Sequence, residues 1–159
     1  MAYQKLQAGE ALAILTSDTI NIPNPANQVI SGTTTATTAD KLVDSGATFS
    51  TGGVKVGDII YNTTDSTIAT VTAVDSETTL SVSANIFASG EAYQVYTQSN
   101  ESPNNGCVLY VGVAGDIKVK MAGGNDVVFK TVAAGSFLPI NVIQVFATGT
   151  TATDIVALW

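Results

Sequence analysis

The chain has 159 residues, 13 of them acidic against six lysines, for a net charge of −7, and it contains neither arginine nor histidine. A nucleic-acid binder lacks here the side chains that neutralise phosphates and read bases, and an anionic membrane surface finds no basic patch. Hydrophobic residues at 45% exclude disorder of the whole chain and supply the core of one domain or two small ones.

The first ten residues, Met1 to Glu10, carry one lysine and no long apolar run, so neither a signal peptide nor a membrane span is expected there. Glu10 to Leu15 is apolar but too short for periodicity to separate a strand from a helical turn. Ser17, Asp18 and Thr19 form a turn signal, and Ile20 to Pro25 is extended because residues before proline are pushed out of the helical region. Prolines 23 and 25 confine this stretch to a sheet edge or a surface crossing. The threonine tract from Ser31 to Ala39 reads as a linker or an exposed edge strand.

From Asp40 to Thr97 strand signals recur at short intervals: Lys41 to Asp44, Val54 to Tyr61, Ile68 to Val74, Thr79 to Ser83 and Ala92 to Tyr96. Glycine, asparagine and aspartate turns separate them, the pattern of a small barrel or sandwich. The polar stretch Thr97 to Gly106, with Pro103, reads as a linker. Residues 32–98 are therefore expected to form a small β-barrel-like module, inserted into a discontinuous β-sandwich-like domain of 1–31 plus 99–159. The second half of that domain alternates strands and tight turns: Val108 to Val113, Ile117 to Met121, Val127 to Val132, Phe137 to Ala147 and Asp154 to Trp159. Turns at Ala114 to Asp116 and Ala122 to Asp126 predict two hairpins. Phe137 to Ala147 is apolar on both faces, which predicts cover by a second layer or a neighbouring subunit. The expected fold class is all-β, with two small antiparallel units, one inserted into the other.

Chemistry is sparse. Without histidine there is no Ser-His-Asp or Cys-His arrangement. Cys107 has no disulfide partner and no basic neighbour to activate it, so it reads as a small core residue. Asp44, Asp58, Asp65, Asp75, Glu77, Glu91, Asp116, Asp126 and Asp154 fall in or beside turns, where carboxylates usually cap backbone N–H groups. No stretch matches a calcium loop or a phosphate-binding glycine loop. Tyr61, Tyr93 and Tyr96 are the candidates for stacking on a glycan, although strand spacing favours core or edge packing. No catalytic, cofactor-binding or metal-binding residue is assigned, and no enzymatic activity is expected.

Three motifs carry a resemblance: Ser17-Asp-Thr-Ile-Asn-Ile-Pro-Asn-Pro25, Leu109-Tyr-Val-Gly-Val-Ala-Gly-Asp-Ile-Lys-Val119 and Ala147-Thr-Gly-Thr-Thr-Ala-Thr-Asp-Ile-Val156. Together they resemble a family of small structural proteins on the heads of tailed bacteriophages and phage-like gene-transfer particles, in which a related protein forms the base of a head spike. The likeness covers about half the chain; the inserted unit looks like small β modules of phage virion proteins. It implies a capsid decoration or cement protein, made in the host cytoplasm and carried on the capsid exterior, that bridges major capsid protein subunits. The alternatives are a head-spike base, a tail-associated adaptor, or a host-glycan-binding module. A homo-oligomer is implied, a trimer for a cement protein and a pentamer for a spike base, with neither nucleic acid nor membrane as partner.

Overall fold

The computed structural model describes residues 8–97 and 106–159; the expected linker falls largely outside them. The chain divides into two compact units, Met1–Pro25 with Glu101–Trp159, and Ala26–Asn100. Each holds one six-stranded antiparallel sheet, so the all-β class and the two-unit organisation are as expected.

The first unit contains β1 (Ala11–Ala13), β8 (Cys107–Val113), β9 (Gly115–Met121), β10 (Asp126–Val132), β11 (Ser136–Val145) and β12 (Thr153–Leu158), in the order β1-β12-β8-β11-β9-β10. Period-two alternation turns Cys107, Leu109 and Val111 of β8, Ile117 and Val119 of β9, and Ile155 and Ala157 of β12 into one core. The β9–β10 hairpin forms as predicted. The predicted β8–β9 hairpin does not. Only Ala114 separates the two strands, fewer than the two residues a hairpin loop needs, and β11 runs between them instead. Its first residues pair with β8, Leu138 opposite Leu109; its last pair with β9, Val145 opposite Val119. The register breaks between Leu138 and Val142, where Pro139 has no N–H to offer a ladder. Gly115 is needed where β9 begins, since a Cβ there would fall on the Ala152 nitrogen.

The N-terminal arm crosses β11 as an extended segment. Ser17 N donates to Val145 O at 3.0 Å and Ile22 N to Ile143 O at 2.9 Å, while the Ile22 side chain enters the core. β11 is accordingly buried at Val142, Gln144 and Val145, but its first half leaves Phe137 49% exposed, so the cover expected over the whole strand spans only part of it.

The second unit contains β2 (Gln28–Thr33), β3 (Lys41–Val43), β4 (Ile59–Asn62), β5 (Thr67–Val74), β6 (Thr79–Val82) and β7 (Ala92–Tyr96), in the order β2-β7-β4-β5-β6-β3. Leu42, Phe49, Ile60, Val71, Leu80, Phe87, Tyr93 and Val95 fill its core. The threonine tract begins in the exposed edge strand β2, one of its two expected forms, and continues as the seam of this sheet. Ser31 to Thr33 pair with β7, Thr34 is buried with its N–H on Glu91 O, and the chain then bridges to β3 through Ala36 opposite Val43. β2 and β3 sit at opposite ends of the strand order, so this bridge curls the sheet towards closure, which removes exposed edges. The division of the chain therefore falls after Pro25 rather than after Ser31, because Gln28 to Ser31 hydrogen-bond β7.

The core residues of the first unit come only from its own two segments, which generates a prediction. Replacing residues 26–105 by a short Gly-Ser linker is expected to leave a folded β domain with a cooperative thermal transition by circular dichroism; a random-coil spectrum would contradict it.

Candidate interaction surface

The carboxylates named from the sequence are dispersed, and most serve local structure. Asp44 accepts from Gly46 N and from the buried Tyr93 hydroxyl, at 2.9 and 2.8 Å. Asp58 accepts from Lys55 N at 2.8 Å, and Glu77 from Thr51 N at 3.2 Å. Asp75 takes Lys41 Nζ and Ser81 Oγ at 2.9 and 2.8 Å. Asp116 takes Lys130 Nζ at 2.6 Å and Thr131 N at 2.9 Å, which clamps the bulge of β10 where Thr131 sits at φ +49°. A β-branched residue at positive φ is strained, and the carboxylate holds it there. Asp126 and Asp154 are exposed in β10 and β12.

Two of the carboxyls do meet. Glu91 accepts from Ala88 N at 2.7 Å and from the buried Asn62 Nδ2 at 2.8 Å, and these bonds hold its carboxyl below the ordinary value. Asp65 lies beside it and is raised, first by its hydrogen bond to Glu91 and then by the like charge. Asn62 also donates to Ile86 O at 2.7 Å, so Glu91 and Asn62 together tie the 86–91 loop to β4. This arrangement is a loop latch. Among the described residues no three acidic, histidine or cysteine side chains group as metal ligands.

The three tyrosines that were candidates for glycan stacking are buried: Tyr93 and Tyr96 at 1% exposure, Tyr61 at 3%. Tyr93 packs against Phe49 with ring centroids 5.9 Å apart, and Tyr61 meets Tyr96 edge-on at 5.5 Å. They are packing residues and offer no exposed face. Cys107 is likewise buried, its Sγ–H directed at Val142 O 3.4 Å away, and burial pushes the thiol up to about 12.

The feature that sequence patterning missed is the outer face of the first sheet. Ladder register places Ala13, Val156, Tyr110 and Phe137 in one row across β1, β12, β8 and β11. Ala11, Leu158 and Val108 form the neighbouring row. Neither row carries a charge. Tyr110 is 42% exposed and Phe137 49%. At the Phe137 end the surface dips into a groove of about 490 Å³ whose walls include Val108, Pro139, Ile140, Leu158 and Trp159. The signal lay in Val108 to Val113, which is apolar at both parities, one set for the core and one for this face.

Beyond β11 the outer face changes character. Lys118 and Lys120 of β9 lean over the Phe146 ring, their Nζ atoms 4.4 and 6.0 Å from its centroid. Asp18 anchors the arm close by, accepting from Thr148 N and Oγ1 at 2.9 and 2.7 Å, which lowers its carboxyl. Charge is also divided unevenly along the chain. The first unit has six carboxylates and four lysines, net −2; the second has seven carboxylates and two lysines, net −5.

The chain matches no protein-family model, no curated protein and no solved structure. Two of the three motifs singled out in the sequence touch, Asp18 of the first accepting from Thr148 N of the third.

Three outcomes are expected. Cys107 should resist alkylation at mildly alkaline pH until the protein is unfolded, as read by mass spectrometry; modification of the native state would contradict its burial. Tyr93→Phe leaves the buried Asp44 short of a donor and should destabilise by ~1–3 kcal/mol in a urea melt. Asp18, Asp75 and Asp116 are each lowered by hydrogen bonds from an ordinary value of 3.8. Their stabilisation is complete above that value and is lost as pH falls through the lower folded values. The melting temperature should therefore fall on acidification below pH 3.8, and Asp18→Asn should make that fall shallower; Asp65, shifted the other way, acts above that value instead.

Proposed function

We propose that the protein is a structural component of a tailed-phage head, a decoration or cement protein on the capsid exterior that bridges major capsid protein subunits. The observation that carries this reading is the pair of uncharged apolar rows on the outer face of the first sheet. A contiguous apolar surface with exposed aromatics marks a protein contact, and this one has its aromatics at the centre of the sheet rather than in a deep substrate cleft. The remaining features agree in kind. The carboxylates act as caps and latches, and most of the negative charge lies in the second unit, which suits a surface kept away from packaged nucleic acid. A cement protein acts by adding buried area between shell subunits, so its effect is on particle stability.

Particles lacking the protein should assemble, yet release their genome at lower temperature or under milder osmotic shock, and added protein should restore resistance. Equal resistance with and without it, together with lost host attachment, would favour the spike-base or glycan-binding role instead.

A further inference from the structure

We infer that Asp65 and Glu91 form a proton-operated latch: one proton held between their carboxyls pins the 86–91 loop to the turn between β4 and β5, and its loss towards neutral pH loosens that loop. The device lies in the second unit and does not depend on the apolar rows of the first.

The geometry begins at Asn62, the last residue of β4, which is fully buried. Its two polar atoms serve two segments that are far apart in the chain. Oδ1 accepts from Thr64 N at 3.0 Å and from Asp65 N at 3.1 Å, and so shapes the turn into β5. Nδ2 donates to Ile86 O at 2.7 Å and to Glu91 Oε2 at 2.8 Å, and so reaches the loop. Ala88 N donates to the same Oε2 at 2.7 Å. Both donors fall on one oxygen of Glu91, which leaves Oε1 to accept from a protonated Asp65. The two carboxyls also line one recess of about 480 Å³, together with Thr37, Thr67 and Asn85. Asp65 is exposed, so the proton exchanges with solvent.

Two carboxylates within hydrogen-bond reach repel when both are charged, and a single proton turns that repulsion into an O–H donated from one to the other. The donors decide which side keeps it. Glu91 has two N–H groups on its carboxylate and stays charged, whereas Asp65 has only Glu91 and takes the proton; Glu91 is lowered and Asp65 raised accordingly. Among the described residues the pair titrates by itself. No lysine shifts either carboxyl, and neither does Asp40, whose N–H donates to Asn85 Oδ1 at the same recess.

The direction of each shift sets the pH response. Asp65 is raised above its ordinary 3.8, so its contribution is complete below that value and is lost as pH rises through the higher folded value. Glu91 is lowered below its ordinary 4.5, so its contribution is present above that value and is lost as pH falls through the lower folded value. The latch is therefore tightest in mild acid, where the pair holds one proton, and looser on both sides.

Hydrogen exchange of the full chain, followed by NMR across pH and corrected for intrinsic rates, tests this. The Ala88 amide reports the latch, and the Val71 amide, bonded to Asp58 O at 2.8 Å in the same unit, reports the surrounding sheet. Protection of Ala88 relative to Val71 should pass through a maximum in mild acid and drop by about threefold or more at neutral pH. Asp65→Asn, which supplies a permanent donor, should hold that ratio at the wild-type maximum up to neutral pH. Asp65→Ala, which removes the charge without supplying a donor, should leave it lower. A wild-type ratio indifferent to pH overturns the inference, and so does an alanine variant as protected as the asparagine one, which would assign the effect to repulsion alone. If either variant fails to fold, the side-chain carboxyl resonances of the wild type decide: Asp65 and Glu91 moving together support the shared proton, and two independent titrations overturn it.

Discussion

The divided pairing of β11 is the constraint on which the first unit depends. A ten-residue strand that hydrogen-bonds β8 at one end and β9 at the other keeps those sequence neighbours from pairing. β11 turns Val142 and Val145 inward, into one core with Leu109, Val111, Ile117 and Val119. The N-terminal arm completes the closure: Ile22 enters the core, and Gln144, buried in β11, donates to Ser17 O at 2.8 Å. A buried amide left without this partner would destabilise the strand by ~1–3 kcal/mol, so arm and strand hold each other. The same geometry leaves the first half of β11 uncovered. Phe137 is exposed because the arm crosses only the second half, and the candidate interaction surface is thus a by-product of how the core is closed.

The second unit solves its edge problem by a different chemistry. Its ends are joined by a threonine tract whose hydroxyls replace apolar packing: Thr34 accepts from Glu91 N through Oγ1 at 2.9 Å, and Thr35 Oγ1 accepts from Ser45 N at 2.9 Å. Thr37 Oγ1 accepts from Ser89 N at 2.9 Å. Each is a bond worth about 0.5–1.5 kcal/mol net, and together they fix a segment that composition marks as linker-like. Most of the carboxylates named from the sequence serve the same end as caps and latches, while Asp126 and Asp154 stand exposed.

Strand content was legible in the sequence wherever a run was bounded by glycine or aspartate turns. The five strands of the C-terminal segment lie within a residue or two of where alternation and turn residues put them. Pairing was less legible. Local turn chemistry suggested a β8–β9 hairpin, but a non-local strand took that position, and no local pattern encodes such a competition. The threonine tract left linker and edge strand both open because β-branched residues suit either until a partner, here β7 and then β3, decides between them. For the exposed face, the apolar residues of β8 at both parities were visible in the sequence, and the half-exposed Phe137 opens the very strand that reads as apolar on both faces. The tyrosines were readable as packing residues from strand spacing, and the structure buries all three.

The proposed role on a virion has the chain lying against other protein chains through the apolar rows of its first sheet. An electron cryo-microscopy reconstruction of intact particles is the decisive measurement. Density for both β units is expected on the outside of the shell, with Tyr110 and Phe137 covered by protein. Particles that hold the chain with those two rings facing solvent, or a reconstruction with no density for the chain at all, would contradict it.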